Sequence, residues 1–164
     1  MTATQPTRKD MAEFFRLSLL AGLCEPSAVA RWADSIVAAE PSPHIAFIEL
    51  CIAGSQLASS VQTLLDDVPG HATPDLPVQM LLGHASRLVT AHVFTPEQLL
   101  LRLYHMASLE TFPESIYYEL SAFEDELSLA RDGVYGTVAE LAQDFATFLA
   151  TYDSYAPNTS TGNA

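Results

Sequence analysis

The hydrophobic positions of this chain recur at helical spacing from one end to the other. Apolar residues three and four apart mark one face of an α-helix, and such stripes alternate here with short polar or proline- and glycine-containing stretches. No segment alternates apolar and polar residues over β-branched positions, as a strand would. The pattern predicts an all-α fold, a compact multi-helix bundle of about eight short helices. An irregular α-solenoid of helical hairpins is the alternative.

Local start signals place four helices in the first half of the chain. Asp10, followed three residues later by Glu13, predicts an N-cap with a capping box, and Gly22 ends that helix. Proline favours the first helical position, so the second helix begins at Pro26. Ser55 is expected to open the fourth helix.

The third helix carries a strong apolar stripe. Ser42 followed by Pro43 predicts an N-cap with proline at the first helical position. Behind this start, Ile45, Ile48 and Ile52 lie at helical spacing. We therefore expect these isoleucines to form the core side of the helix.

The second half of the chain repeats the same start signals. Thr95 with Gln98, and Thr137 with Glu140, have the spacing of a capping box. Four helices are predicted here: over about residues 77–91, from Thr95, over about 113–131 and from Thr137.

Composition indicates a folded domain. The chain has 164 residues, of which 49% are hydrophobic and 16% charged, whereas disordered chains are poor in hydrophobic residues. There is neither an uninterrupted apolar run of membrane-spanning length nor a signal-peptide pattern at the N-terminus, so we expect a cytoplasmic protein. One helical domain is predicted over residues 1–152, followed by a disordered polar tail over 153–164.

Charge narrows the class of partner. Twenty acidic residues against seven basic ones give a net charge of −13, and ten acids stand against one base after residue 102. A phosphate-binding surface needs clustered lysine and arginine, so neither nucleic acid nor a membrane is expected as a partner. A basic protein partner would be attracted by this excess of negative charge. The alternative is that the acidity only keeps the protein in solution.

Sequence motifs for catalysis or cofactor binding are absent. The five histidines are scattered, and the chain contains no H-E-x-x-H, G-x-S-x-G, phosphate-binding glycine loop or C-x-x-C. We expect no catalytic residue, no metal and no cofactor. Cys24 and Cys51 are expected to be free thiols, with a disulfide left open. A hydrolase or metal enzyme built from dispersed histidines and carboxylates remains an alternative.

The segment over residues 110–126 is rich in acids. If its apolar stripe faces inward, several carboxylates and a tyrosine share the outward face of one helix, where basic residues are missing. Such a surface suits an arginine- or lysine-rich patch, although a solvated helix face with a half-buried tyrosine has the same pattern. The candidate partner-binding residues are Glu110, Glu114, Tyr118, Glu119, Asp125 and Glu126.

One block resembles a known class of proteins. The runs Phe15–Gly22, Val29–Ile36 and Ile45–Leu50, within residues 14–54, resemble small helical bacterial proteins encoded with polymorphic toxin systems as immunity proteins. Most of the matching positions are of core type, and no inhibitory residues carry over. The resemblance implies a protein that binds and neutralises a toxin domain. A secretion chaperone or adaptor, with an exposed apolar groove and a homodimeric state, is the other binding-protein hypothesis.

Overall fold

The computed structural model describes residues 5–158. These residues form α-helices and no strand, which confirms the predicted fold class. A short 3-10 helix, Asp153–Tyr155, and the buried Ala156 lie where the sequence predicts the start of a disordered tail, and residues 159–164 lie outside the described residues. The eight helices are α1 (Arg8–Leu20), α2 (Pro26–Ala39), α3 (Ile45–Cys51), α4 (Ala58–Asp66), α5 (Leu76–Thr90), α6 (Pro96–Leu109), α7 (Glu114–Arg131) and α8 (Val138–Ala150).

The described helices divide into two compact units, and the division falls after Pro77 in the first turn of α5. Unit 1 contains α1 to α4. Unit 2 contains the rest of α5, α6 to α8 and the 3-10 helix. The sequence pattern predicts one domain over residues 1–152 and gives no sign of this division.

In unit 1, α1 packs against α4, α2 packs against α3, and α3 also contacts α4. The contact between the first and the last of these helices differs from a solenoid, in which each repeat contacts only its neighbours. Trp32 joins three of the helices, because its ring lies 5.2 Å from that of Phe15 and 5.6 Å from that of Phe47. Its aromatic contacts make Trp32 a packing residue of unit 1.

The start of α1 differs from the sequence prediction. The N-cap is Thr7, whose hydroxyl accepts from the Asp10 amide, and the Asp10 carboxylate accepts from the Thr7 amide in return. Asp10 is therefore the third residue of the capping box instead of its cap. Its side chain is fully buried and also accepts from the amide and the hydroxyl of Thr73, at 2.5 and 3.1 Å. One carboxylate thus joins the start of α1 to the loop before α5.

Hydrogen bonds keep the Asp10 carboxylate charged. Burial, the largest single influence, raises its pKa, but the hydrogen bonds from Thr73 and Thr7 together lower the pKa below the ordinary value of 3.8.

The start of α3 also differs from the prediction. Ser42 and Pro43 lie before the helix, and the N-cap is His44, whose Nδ1 accepts from the Ala46 amide at 3.2 Å. The following helix likewise begins later than predicted, with Leu57 instead of Ser55 as its N-cap.

The predicted core side of α3 is wrong. The buried residues of this helix are Ala46, Phe47 and Leu50, which lie opposite the isoleucine stripe. The isoleucines instead face solvent, because one narrow side of a short helix is enough to contact both α2 and α4. The exposed fractions are 59% for Ile45, 43% for Ile48 and 76% for Ile52.

In unit 2, α7 contacts α6 and α8, and α6 also contacts α8. A phenylalanine cluster lies between α7 and α8, where the ring of Phe123 is 5.2 Å from that of Phe145 and 5.5 Å from that of Phe148. The predicted capping boxes at Thr95 and Thr137 are both confirmed. The two helices that pack against α7 are therefore capped at their starts, and the aromatic cluster packs α7 against α8.

The end of unit 2 folds back onto α5 at a glycine. A Cβ on Gly83 would lie 2.5 Å from the Tyr152 carbonyl oxygen and 2.7 Å from the Ala156 nitrogen. The side chain of Arg87 donates to the Ala156 carbonyl at 3.1 Å. Only glycine allows this close approach of backbone to helix.

Candidate protein-binding surface

The apolar stripe of α7 faces inward, as the sequence predicts. Ile116, Leu120 and Leu127 are buried, and Phe123 is half-buried in the cluster with α8. Because residues three and four apart share a side of a helix, this orientation fixes the outward side of α7. We name that outward surface the carboxylate face, and it consists of Glu114, Tyr118, Glu119, Asp125 and Glu126, all of them exposed.

Tyr118 lies in the middle of the carboxylate face. Its side chain is 61% exposed, and its hydroxyl donates to Glu114 Oε1 at 3.1 Å. Its ring centroid lies 5.9 Å from that of Tyr117. The neighbouring ring and the hydrogen bond together orient this exposed aromatic side chain.

Glu119 and Glu126 form a second line along α7, about 80–100° around the helix axis from Tyr118. Glu119 influences a residue outside its own helix: burial raises the pKa of Tyr152 above 10.0, and the negative charge of Glu119 raises it further. The field of this carboxylate therefore extends to the end of α8.

Glu110 is the one sequence-predicted candidate that does not lie on α7. It is half-buried and is the C-cap of α6, where its amide donates to the Met106 carbonyl. Phe112, which follows it, is buried. The structure thus brings five of the six predicted residues together on one helix and places Glu110 at the end of the preceding one.

An open groove of about 670 Å³ runs beside Glu126. On its other side α8 contributes Glu140 and Asp144, and the preceding loop contributes Tyr135. The Glu140 carboxylate accepts from both the amide and the hydroxyl of Thr137, so its position is fixed by the capping box. Sequence reasoning missed these residues, because they lie on another helix and only packing brings them beside Glu126.

The loop between α7 and α8 presents apolar side chains to solvent. Val134 and Tyr135 are 70% and 72% exposed. Gly133 and Gly136, both at positive φ, flank them, and the Val134 amide donates to the Leu129 carbonyl at 2.9 Å. The turn is closed by backbone hydrogen bonding, so its exposed residues are held next to the groove.

The charges of the carboxylate face are not neutralised by neighbours. The ion pairs seen among the described residues involve Glu13, with Lys9 and Arg16, and Glu40, with Arg8. Within residues 5–158, no ion pair involves Glu119, Asp125 or Glu126. Three neighbouring carboxylates on one helix therefore face solvent with their charges uncompensated.

The two thiols are both free. Burial, and then the charge of Glu25, raise the pKa of Cys24 to about 12. Burial, and then a hydrogen bond to Asp34, raise the pKa of Cys51 to about 11. Both are therefore protonated and weakly nucleophilic near neutral pH.

Metal-ligand clusters and membrane-length apolar helices are both absent from residues 5–158. No three His, Cys, Asp or Glu side chains in this range are grouped so that they could hold a metal ion. No helix in it combines the length and the apolar character needed to cross a membrane.

Comparison with known proteins found no matching protein family, no matching curated protein and no matching solved structure.

Proposed function

We propose that this chain is a non-enzymatic, cytoplasmic protein-binding module of the immunity type, which neutralises a basic partner or toxin domain through the carboxylate face. The observation that carries the proposal is the combination of uncompensated carboxylates with an oriented, exposed tyrosine on one side of α7. The resemblance of residues 14–54 to immunity-type proteins supports the same class.

The carboxylate face suits a cationic partner for two physical reasons. Uncompensated negative charge speeds the encounter with a basic surface, with gains in association rate of about 10-fold to 1,000-fold. A tyrosine contributes contact area and a hydroxyl at a low cost in conformational entropy, and it is enriched among the residues that dominate binding energy. Tyr118 supplies this contact between Glu114 and Asp125.

The groove enlarges the surface that such a partner can contact. Glu126 belongs to both the carboxylate face and the groove, and Glu140 and Asp144 continue the negative charge onto α8. Tyr135 adds an exposed ring, over which an arginine or lysine side chain can pack.

The test is to produce the chain with the proteins encoded beside its gene and to measure binding kinetics at low and high salt. We expect one of these proteins to bind, with an association rate that falls steeply as salt rises. The charge-reversed variant Glu119→Lys, Asp125→Lys, Glu126→Lys should bind at least about tenfold more slowly while keeping its helical circular dichroism.

A matched control separates local charge from net charge. Glu25→Lys, Asp66→Lys, Asp67→Lys changes the net charge by the same amount at three exposed positions of unit 1. We expect its binding to stay close to that of the unaltered chain. Equal losses in both variants would refute the assignment of the site to α7, and tight binding that ignores salt would refute the electrostatic mechanism.

A further inference from the structure

A second exposed surface lies on α3, in unit 1. We name it the isoleucine ridge: Ile45, Ile48 and Ile52, which lie along one side of the helix and its C-cap. The least exposed of them, Ile48, is still 43% exposed. The packing of α3 is already provided by buried residues on its other side, so the ridge is not needed to hold the helix in place.

Helix formation does not explain the ridge either. Exposed helix positions normally carry strong helix formers such as alanine, glutamate or lysine. Isoleucine is β-branched and a weaker helix former, and its exposure to water is unfavourable. Three exposed isoleucines along a short helix and its C-cap therefore lower both the helix propensity of the segment and the solubility of the protein. Contiguous exposed apolar groups of this kind mark interaction surfaces.

Carboxylates flank the ridge on both sides. The exposed Glu49 lies about 40° around the helix from Ile45. On the other side, about 60° from Ile48, lies Cys51. Burial raises the pKa of its thiol, and the Asp34 carboxylate of α2 raises that pKa further. The basic residue nearest to Asp34 along α2 is Arg31, one turn before it, and the two form no ion pair within the described residues.

We infer that the isoleucine ridge is a docking surface for a short amphipathic helix of another protein, whose apolar stripe is flanked by lysine and arginine. The i, i+3, i+7 spacing of Ile45, Ile48 and Ile52 matches the apolar anchors used when helices pack together. Glu49 and Asp34 complement basic residues beside the partner's stripe.

The same charges disfavour two other occupants. A second copy of this chain, packed about a two-fold axis, would bring its own Glu49 to the same ridge, and each copy carries a net charge of −13. An anionic lipid surface would be repelled by Glu49 and Asp34. The inference is independent of the proposed function, because the carboxylate face belongs to unit 2.

The experiment selects peptides that bind the full chain. A displayed library of amphipathic peptides about four turns long, with apolar residues fixed at helical spacing and random residues elsewhere, is enriched on the protein. Peptides that also bind the double variant Ile48→Ser, Ile52→Ser are then removed from the library. We expect the enriched peptides to carry lysine and arginine beside the apolar stripe. Failure to enrich any peptide, or enrichment of acidic flanks, would overturn the inference.

Affinity measurements with an enriched peptide then locate the contact. We expect Ile48→Ser or Ile52→Ser to weaken binding about tenfold or more, and Glu49→Lys to weaken it several-fold. Leu109→Ser, at an exposed position of unit 2, is the matched control and should leave the affinity unchanged. Binding that survives both isoleucine changes contradicts the inference.

Two further outcomes would identify a different occupant and so overturn the inference. Sedimentation that shows a dimer, abolished by Ile52→Ser, would point to a second copy of the chain. Ridge-dependent binding to phosphatidylglycerol vesicles would point to lipid.

Discussion

Replacing Asp10 by asparagine tests the contribution of one buried carboxylate to the stability of unit 1. The side chain is fully buried and accepts hydrogen bonds from the amide and hydroxyl of Thr7 and from those of Thr73, which lies 63 residues along the chain. Asparagine has the same size, but it offers one acceptor oxygen and turns an NH₂ group toward a site lined by donors.

The expected loss follows from these contacts. Hydrogen bonds to a charged acceptor contribute about 1.5–3 kcal/mol each, and those to a neutral acceptor about 0.5–1.5 kcal/mol. Asparagine loses at least one bond, because three of the four go to Oδ2 and the one from the Thr73 amide goes to Oδ1, and the bonds that it keeps go to an uncharged oxygen. Part of this loss is offset, because the variant no longer buries a charge. We expect the free energy of unfolding to fall by about 3–5 kcal/mol. For a chain of this size the midpoint temperature should fall by about 10 °C.

The pH dependence has a definite sign. The pKa of Asp10 in the folded state is lower than 3.8, the ordinary value that it regains on unfolding. The charged carboxylate therefore stabilises the fold fully above that ordinary value, and its contribution disappears as the pH falls through the lowered pKa. The difference in stability between the unaltered chain and Asp10→Asn should be largest near neutral pH and should shrink in acid.

Urea denaturation followed by circular dichroism, near neutral pH and in acid, measures both effects. Asp66→Asn, at an exposed position of the same unit, is the control and should change stability by less than about 0.5 kcal/mol. A loss below about 1 kcal/mol for Asp10→Asn would refute this reasoning. A stability difference that widens as the pH falls would refute the direction of the pKa shift.

Two further changes test packing that the sequence did not reveal. In Gly83→Ala the new methyl group would meet the backbone of Tyr152 and Ala156, so we expect a loss of about 1–3 kcal/mol in thermal unfolding despite the better helix propensity of alanine. A rise in midpoint temperature would contradict this close contact. The hydroxyl of Ser18 is buried and has no hydrogen-bond partner among the described residues, so Ser18→Ala should be neutral or stabilise the protein by up to about 1 kcal/mol in chemical denaturation. A clear loss of stability would show that the hydroxyl has a partner.

Local interactions made much of the fold predictable from sequence. The capping boxes that begin with Thr95 and Thr137 were predictable, because the residues that form them lie three positions apart and need no other part of the chain. The inward stripe of α7 was predictable for the same reason, since 18 residues give its helical period several repeats. The outward positions of Tyr118 and Asp125 follow directly from that stripe.

Elsewhere the structure differs from the local signal. Around α1, the spacing of Asp10 and Glu13 predicts Asp10 as the cap, whereas Thr7 is the N-cap. The structure makes Asp10 the buried third residue of the box, where Thr73 also donates to it. No local pattern contains that contact.

Periodicity and caps act over a few residues, so the all-α class, most helix bounds and the acidic outward side of α7 can be predicted from the sequence alone. Where a helix has apolar residues on two opposite sides, the tertiary structure selects the side that is buried. In α3 it chose Phe47 and Leu50 and left the isoleucines in solvent, since the outcome depends on what α2 and α4 present. Tertiary structure also placed Glu140 and Asp144 beside Glu126, because neighbours on different helices are set by packing and not by spacing along the chain.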